Sequence, residues 1–279
     1  AQWTGGPGML LVDVTEGARV VGEVDRFSAP MLLHEEAIYL HGGAQYQVER
    51  LDYPERKAYV RRVHVDYYTD ASLAVNLKVL DVAREERTAG YTRSRGEVLV
   101  SAKATSFKKI RFHTHENVGS GKIHLPEEEM HTTACWIALA DALAGRASPR
   151  ELPGAVAGMA NLLANVSPLF LMCDPRDVRA LAQARSPFTG SPTVYLYDAY
   201  PGGVGLSEKA YDLIPELLAG ALALVVECPC SGGCPSCVGP REELGPGAKD
   251  AVRSILEALG EGQGVSTGGY GAAPGAPVP

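Results

Sequence analysis

The chain has 279 residues, 46% of them apolar and 21% charged, which is enough to bury the core of one large or two small globular domains and excludes disorder of the whole. Its formal net charge of −7 conceals an asymmetry: residues 1–125 carry seventeen Lys and Arg against sixteen Asp and Glu, whereas 126–279 carry nine against seventeen. No apolar run approaches the roughly 18 residues of a spanning helix, since the best candidate, Leu213 to Val226, holds Pro215, Glu216 and Gly220, so a membrane is not expected among the partners.

Ala1 to Gly8 has neither the basic start and apolar stretch of a signal peptide nor an initiator Met, and reads as the beginning of a fragment. From there to residue 125 the chain reads as strands. Gly17–Val24 is β-like, Ala37–Leu40 precedes a Gly-Gly pair, and Gln45–Leu51 alternates with period two. Asp52-Tyr53-Pro54-Glu55 supplies a turn, with Ala58–Val65 returning. Leu73, Val75, Leu77 and Val79 line one side of an extended segment, as do Val98, Val100, Ala102 and Ala104, with Ser101 and Lys103 on the other side. One or two small antiparallel barrels are expected.

Within Arg84–Arg111 eight basic residues stand against three acidic ones, a local excess that can neutralise phosphates or form a solvated face. Lys103, Lys108, Lys109, Arg111, Arg93 and Arg95 are the candidate phosphate contacts, for single-stranded DNA. Of the tyrosines, those from Tyr39 to Tyr68 read as half-buried sheet residues. Tyr91, among Arg87, Arg93 and Arg95, is the candidate for stacking on a base.

His113-Thr114-His115 alternates so that both rings would share one side of a strand; with His124, His131 and two aspartates at strand ends, Asp174 and Asp198, it makes a candidate hydrolytic site. Dispersed histidines are also ordinary surface residues. Gly119-Ser120-Gly121-Lys122 has the look of a phosphate-binding loop, but Glu116 and Ile123 stand where its first glycine and its Ser or Thr belong. Hydrolysis of a nucleotide by this chain alone is not expected, and no catalytic residue is assigned.

After Pro126 the chain changes character. Pro126, three glutamates and Gly145 frame an expected helix with Met130, Ala134, Ile137 and Ala138 on one side. Ser148-Pro149-Arg150-Glu151 has the form of a capping box, before a helix running to about Asn165, its start shifted by Pro153. Leu169–Met172 and Thr193–Tyr197 read as buried strands. Gly202-Gly203-Val204-Gly205 is either a phosphate-holding loop or a tight turn. A helix from about Leu206 to Val226 and a short one over Ala248–Leu259 follow, and the Gly, Ala, Pro and Ser of the last residues read as a disordered tail. The fold class is α+β, with a β-rich, locally basic region over 1–125, a helical α/β domain over 126–260 and a tail over 261–279.

Six cysteines are unevenly placed. Cys135 and Cys173 are isolated in apolar surroundings and read as core residues. Cys228, Cys230, Cys234 and Cys237 form C-x-C-x3-C-x2-C around Gly232 and Gly233, four soft ligands crowded where a disulfide framework would spread them. A closed tetrahedral zinc site with a structural role is expected, an iron–sulfur cluster being the alternative, and a reducing, cytoplasmic setting follows.

Several stretches in order resemble one family, the superfamily-2 DEAD/DEAH-box DNA helicases of the mitomycin repair factor A type, in their C-terminal zinc-binding region. They are His34–Gly43, Thr114–Gly119 onward to Glu129–Thr133, Ala160–Leu163, Pro168–Pro175, Tyr197–Gly205 and the cysteine loop. The resemblance implies an accessory region of a DNA-repair helicase that holds zinc with the four cysteines and guides a strand during 3′ to 5′ translocation. ATP and magnesium would belong to RecA-like motor domains, in cis or in trans, because no stretch here matches their motifs. Related zinc regions also resemble subunits of phage-defence systems, so a protein-interaction subunit recruiting a separate motor stands beside the helicase reading, as does an independent metal hydrolase.

Overall fold

The computed structural model describes residues 8–24 and 28–261; the residues expected to form the tail, from 262 on, and those before Gly8 lie outside them. The chain divides into two compact units, residues 1–78 with 98–131 and residues 79–97 with 132–279, rather than at a single break after residue 125. The division falls within two long strands, β6 (Tyr67–Arg87) and β7 (Tyr91–Arg111), because different stretches of the same strand feed different cores. Ala104 and Phe107 pack with Ile123, whereas Tyr91 packs with Ile137 and Leu139.

In the first unit, β1 (Met9–Asp13), β2 (Arg19–Val24), helix α1 (Ala29–Leu32), β3 (Ile38–His41), β4 (Ala44–Asp52) and β5 (Lys57–Val63) follow in order. The sheet runs β2-β1-β5-β4-β3. Its outer pairs are antiparallel, but β1 lies parallel to β5, with Leu11 beside Ala58. The pairing is thus mixed and follows an open path among the described residues, which corrects the expectation of an antiparallel barrel. Met9, Leu11, Val48, Ala58 and Val60 form its core.

The alternation read along Val98–Ala104 holds: Val98, Val100, Ala102 and Ala104 are buried and Lys103 is exposed. The Gly-Ser-Gly-Lys stretch is strand β8 (Asn117–Lys122), antiparallel to β7. Its glycine has a packing reason. Gly121 stands opposite Phe107, and a Cβ there would lie 2.4 Å from the ring, so the glycine gives the phenyl group its place.

The other sheet runs β10-β11-β9-β7-β6, with β8 beside β7, where β9 is Glu128–Leu139, β10 is Val178–Gln183 and β11 is Thr193–Asp198. β9 replaces the helix expected after Pro126. Met130, Ala134, Ile137 and Ala138 satisfy a helical spacing, but Thr132, Cys135, Trp136 and Leu139 are buried as well. A strand covered on both faces has no period to read. Gly145 does stop a helix, the one-turn α2 (Asp141–Ala144).

The capping box forms: Ser148 Oγ and Glu151 Oε2 are 2.7 Å apart, and Glu151 N donates to Ser148 Oγ at 3.3 Å. It leads into α3 (Leu152–Leu171), with Pro153 in its first turn. This helix absorbs the stretch Leu169–Leu171 expected as a strand and ends on Met172, whose φ of 57° is left-handed. α3 is long and apolar enough to cross a bilayer by length and composition, although 67% of its apolar window is buried within the protein. The expected helix over 206–226 is two, α4 (Leu206–Asp212) and α5 (Ile214–Glu227), because Pro215 has no amide to continue the ladder. α6 (Arg241–Leu244) and α7 (Ala248–Glu261) are the last elements among the described residues. α3 packs on β10 and β11, and α3, α5 and α7 pack on one another to enclose Met159, Leu163, Leu217, Val252 and Ile255.

Candidate metal centre and basic strands

α5 delivers the chain to the cysteine loop. Its last apolar residue facing the core, Val225, is buried, and Cys228 leaves the helix in extended conformation while its N–H still bonds to Leu224 O. Gly233, at φ 128°, makes a bend that a side chain rarely adopts. The amides of Cys237 and Gly239 both donate to Cys234 O, at 3.0 and 2.9 Å, turning the second cysteine pair back on the first.

The result is four Sγ atoms within 4.8 Å of one another. Cys228 lies 3.6 Å from Cys230 and from Cys234, and Cys237 lies 3.5 Å from Cys230 and 3.6 Å from Cys234. A tetrahedron with metal–sulfur bonds of about 2.3 Å has edges of about 3.8 Å, so the four thiols fit a single zinc ion. That spacing is too small for a cluster of several irons with bridging sulfides, which sets the iron–sulfur alternative aside. Burial disfavours the Cys230 thiolate, but hydrogen bonds from Cys237, Lys249 and Cys228 outweigh it and lower its pKa to about 6; burial raises Cys237 instead. With all four positions taken by thiolates the ion is structural.

Residues distant in sequence hold the loop. Lys249 of α7 donates to Cys228 O at 2.7 Å, Cys230 O at 2.6 Å and Cys230 Sγ at 3.3 Å, placing a positive charge against a site that becomes −2 when four thiolates bind Zn²⁺. Asn161 of α3 donates to Cys237 O and Pro235 O, and Asn165 donates to Pro235 O. No spacing rule in the sequence connects these three side chains to the cysteines.

The basic stretch is less uniform than its composition. Lys103 and Lys108 are exposed and have no ion pair among the described residues. Lys109 is held by Glu36 at 2.8 Å, which raises its pKa, and Arg111 is paired with Asp66 and Glu116. Arg93 and Arg95 serve the fold: Arg93 binds Glu86 at 2.8 Å and lies over the Tyr211 ring, and Arg95 binds Glu208 at 2.8 Å. Tyr91 is only 2% exposed, so its ring belongs to the core and not to a base-stacking face. Thr88 Oγ1, bonded to both the N–H and the C=O of Tyr91, draws it in at the hairpin turn.

The other candidates resolve against catalysis. His113, Thr114 and His115 lie in an exposed turn rather than on a strand, and His124 and His131 are exposed. Among the described residues the cysteine loop alone gathers three or more metal-ligating groups. Asp174 follows a helix; Asp198 does end β11, fully buried. Its carboxylate accepts the N–H groups of Val204 at 2.6 Å, Leu206 at 3.2 Å and Ser207 at 2.7 Å. The glycine loop therefore cradles an anion supplied by the chain itself, in the place a phosphate would take. Cys135 is buried and Cys173 packs against the core; burial pushes both thiols up, which keeps them protonated and inert.

Residues 159–238 match the family model of the MrfA Zn-binding domain. Among curated proteins the chain is similar to the ATP-dependent helicase YprA of Bacillus subtilis (strain 168), 46% identical over 255 residues that make up 90% of this chain and 34% of the relative. It is also similar to the ATP-dependent helicase HRQ1 of Saccharomyces cerevisiae, 24% identical over 82% of this chain and 22% of the relative. The chain thus spans about a third or less of these two relatives. Among solved structures it resembles the DUF1998 helicase MrfA bound to DNA, with a TM-score of 0.65 and 44% identity over 91% of this chain and 34% of that one. A further crystal structure of the DUF1998 helicase MrfA gives a TM-score of 0.62 and 40% identity over 90% of this chain and 34% of that one.

Proposed function

We propose, from the premise that this chain carries the zinc-binding region of MrfA-type helicases, that it is the accessory, strand-guiding part of an ATP-dependent 3′ to 5′ DNA helicase of cytoplasmic DNA repair. The observation that carries the reading is the four-thiolate cluster within the residues matched to the MrfA Zn-binding domain. Lys103 and Lys108 supply cations for phosphates of a single strand. Phosphoryl transfer, with its ATP and magnesium, is assigned to RecA-like motor domains outside these residues, in cis or in trans, since no segment here holds a glycine loop with the Lys and Ser or Thr that cradle a nucleotide.

The test compares a motor with and without this chain. Unwinding should fall by a larger factor than DNA-stimulated ATP hydrolysis when the chain is removed, and the purified chain should show neither activity. Equal unwinding by the motor alone would overturn the guiding role, and DNA-stimulated ATPase of the isolated chain would overturn the division of labour.

One observation favours the second reading, an interaction subunit for a separate motor. Leu169 and Met172, at the end of α3, are 78% and 88% exposed, the kind of apolar surface that partners cover. Copurification of chain and motor expressed as separate polypeptides, abolished by Leu169→Asp with Met172→Asp, distinguishes it.

A further inference from the structure

The groove beside the β6–β7 hairpin holds a feature that the zinc site and the lysines do not use. Its volume is about 560 Å³, and Phe188, Trp136, Thr92, Ser94 and Arg87 contribute to its lining. Phe188 stands on the loop between β10 and β11 and is 51% exposed. Its ring packs edge to face on Trp136, at 6.1 Å and 89°, and Trp136 is itself buried and packed on Tyr195.

The loop is stiff for reasons written in its sequence, Ser186-Pro-Phe-Thr-Gly-Ser-Pro192. Ser186 Oγ bonds the hydroxyl of Tyr195 at 2.8 Å and accepts the amides of Phe188 and Thr189 at 3.1 and 3.3 Å. Ser186 N and O bond Ser191 O and Gly190 N, at 3.0 and 2.9 Å. Thr189 Oγ1 bonds Thr193 Oγ1 at 2.7 Å, and Gly190 takes the left-handed turn at φ 73°. A half-exposed aromatic ring is therefore held in place before any ligand arrives, and the ordering cost of binding at that ring is reduced.

The surroundings select the ligand. Arg185, in the same loop, is exposed with no ion pair among the described residues. Among the described residues Arg87 on the hairpin is paired with Glu85 alone, at 3.3 Å, and its side chain is largely exposed. Asp141, also lining the groove, offers a carboxylate to exocyclic amino groups such as cytosine or adenine presents. A fixed aromatic ring, hydroxyl-bearing walls and the guanidinium of Arg87, which lines the groove together with Glu85 and Asp141, with Arg185 three residues before Phe188 in the loop, are components that bind a single nucleic-acid strand through stacking and phosphate contact.

We propose that Phe188 is the stacking platform for one base of a single DNA strand, with Arg185 and Arg87 on the neighbouring phosphates. This rests on the strand-guiding reading above and adds to it a residue and a mode of contact. It also moves the aromatic contact from Tyr91, which is buried, to a ring in the same groove that is open.

The test uses the 279-residue chain, a fluorescein-labelled thymidine oligonucleotide and an abasic deoxyribose-phosphate strand of equal length, followed by anisotropy across a salt series. Phe188→Ala should weaken thymidine-strand binding about tenfold, the loss expected for one stacked base, with the salt slope unchanged. Phe188→Leu keeps apolar contact with Trp136 but has no π-face and should lose as much, whereas Phe188→Trp should restore binding. On the abasic strand wild type and Phe188→Ala should bind alike. Full affinity in Phe188→Leu, or an equal loss on both strands, overturns the stacking role. If Phe188→Ala matches wild type while Lys103→Glu with Lys108→Glu weakens binding, the guiding reading stands and the platform falls. If wild type shows no salt-dependent binding to either strand, both fall.

Discussion

The cysteine loop and the basic stretch from Arg84 to Arg111 are equally conspicuous in the sequence, yet the folded chain treats them differently. The four thiols within ten residues converge on one point, as their spacing requires. The eight basic residues disperse: Arg84, Arg87, Arg93 and Arg95 pair with Asp212, Glu85, Glu86 and Glu208, Lys109 and Arg111 are paired in the other unit, and Lys103 and Lys108 have no ion pair among the described residues. A soft-metal site is specified by donors that are close along the chain, so its geometry is local. The availability of a charge depends on what stands opposite, and opposite partners come from distant residues.

The largest effect that tests this contrast is loss of the metal. Cys234→Ser with Cys237→Ser should abolish zinc retention, measured by elemental analysis after anaerobic purification, and unfold the segment between α5 and α7, because structural zinc contributes on the order of 10 kcal/mol to such loops. Zinc content equal to wild type would show that the cysteines are not the ligands.

Next in size is the contribution of a residue distant in sequence to the local site. Lys249→Met leaves the thiols in place but removes the donor to Cys228 O, Cys230 O and Cys230 Sγ. Competition with a chelator should show zinc affinity reduced by about tenfold or more, the usual scale for such supporting groups. No change would make the cysteine loop as self-contained as its spacing suggests.

For the basic stretch the two kinds of cation should separate in their readouts. Arg93→Ala removes a mostly buried guanidinium bonded to Glu86 and to Tyr211 O, and should lower stability by about 1–2 kcal/mol in a denaturant titration. Lys103→Glu with Lys108→Glu should leave stability within about 0.5 kcal/mol but flatten the salt dependence of single-strand binding by about 0.7 log units for each phosphate that is no longer neutralised. Reversal of these two outcomes would mean that the ion pairs of Arg93 are incidental and the open lysines are solvated charges.

How much of the molecule could be read in advance follows the same line. β4, β5 and the alternation along β7 are legible because each buries alternate residues over part of its length, and a period of two survives in the sequence. β9 reads as a helix in sequence because burial on both faces erases the period, leaving Pro126, the glutamates and Gly145 as misleading punctuation. Leu169–Met172 reads in sequence as a buried strand, although it is the end of α3, where Leu169, Phe170 and Met172 are exposed; apolar character alone does not say what covers it.

By itself the sequence determined the α+β class and the resemblance to MrfA-type helicases, which rest on patterns and motifs read in order along the chain, and the capping box and the four-cysteine cluster, which rest on residues near one another. Tertiary structure alone decided that Asp198 fills the glycine loop, that Lys249, Asn161 and Asn165 brace the cysteines, that Tyr91 is buried while Phe188 is open, and which cations remain unpaired. Short-range geometry is encoded in spacing, whereas burial and charge pairing are properties of the neighbours that folding brings together.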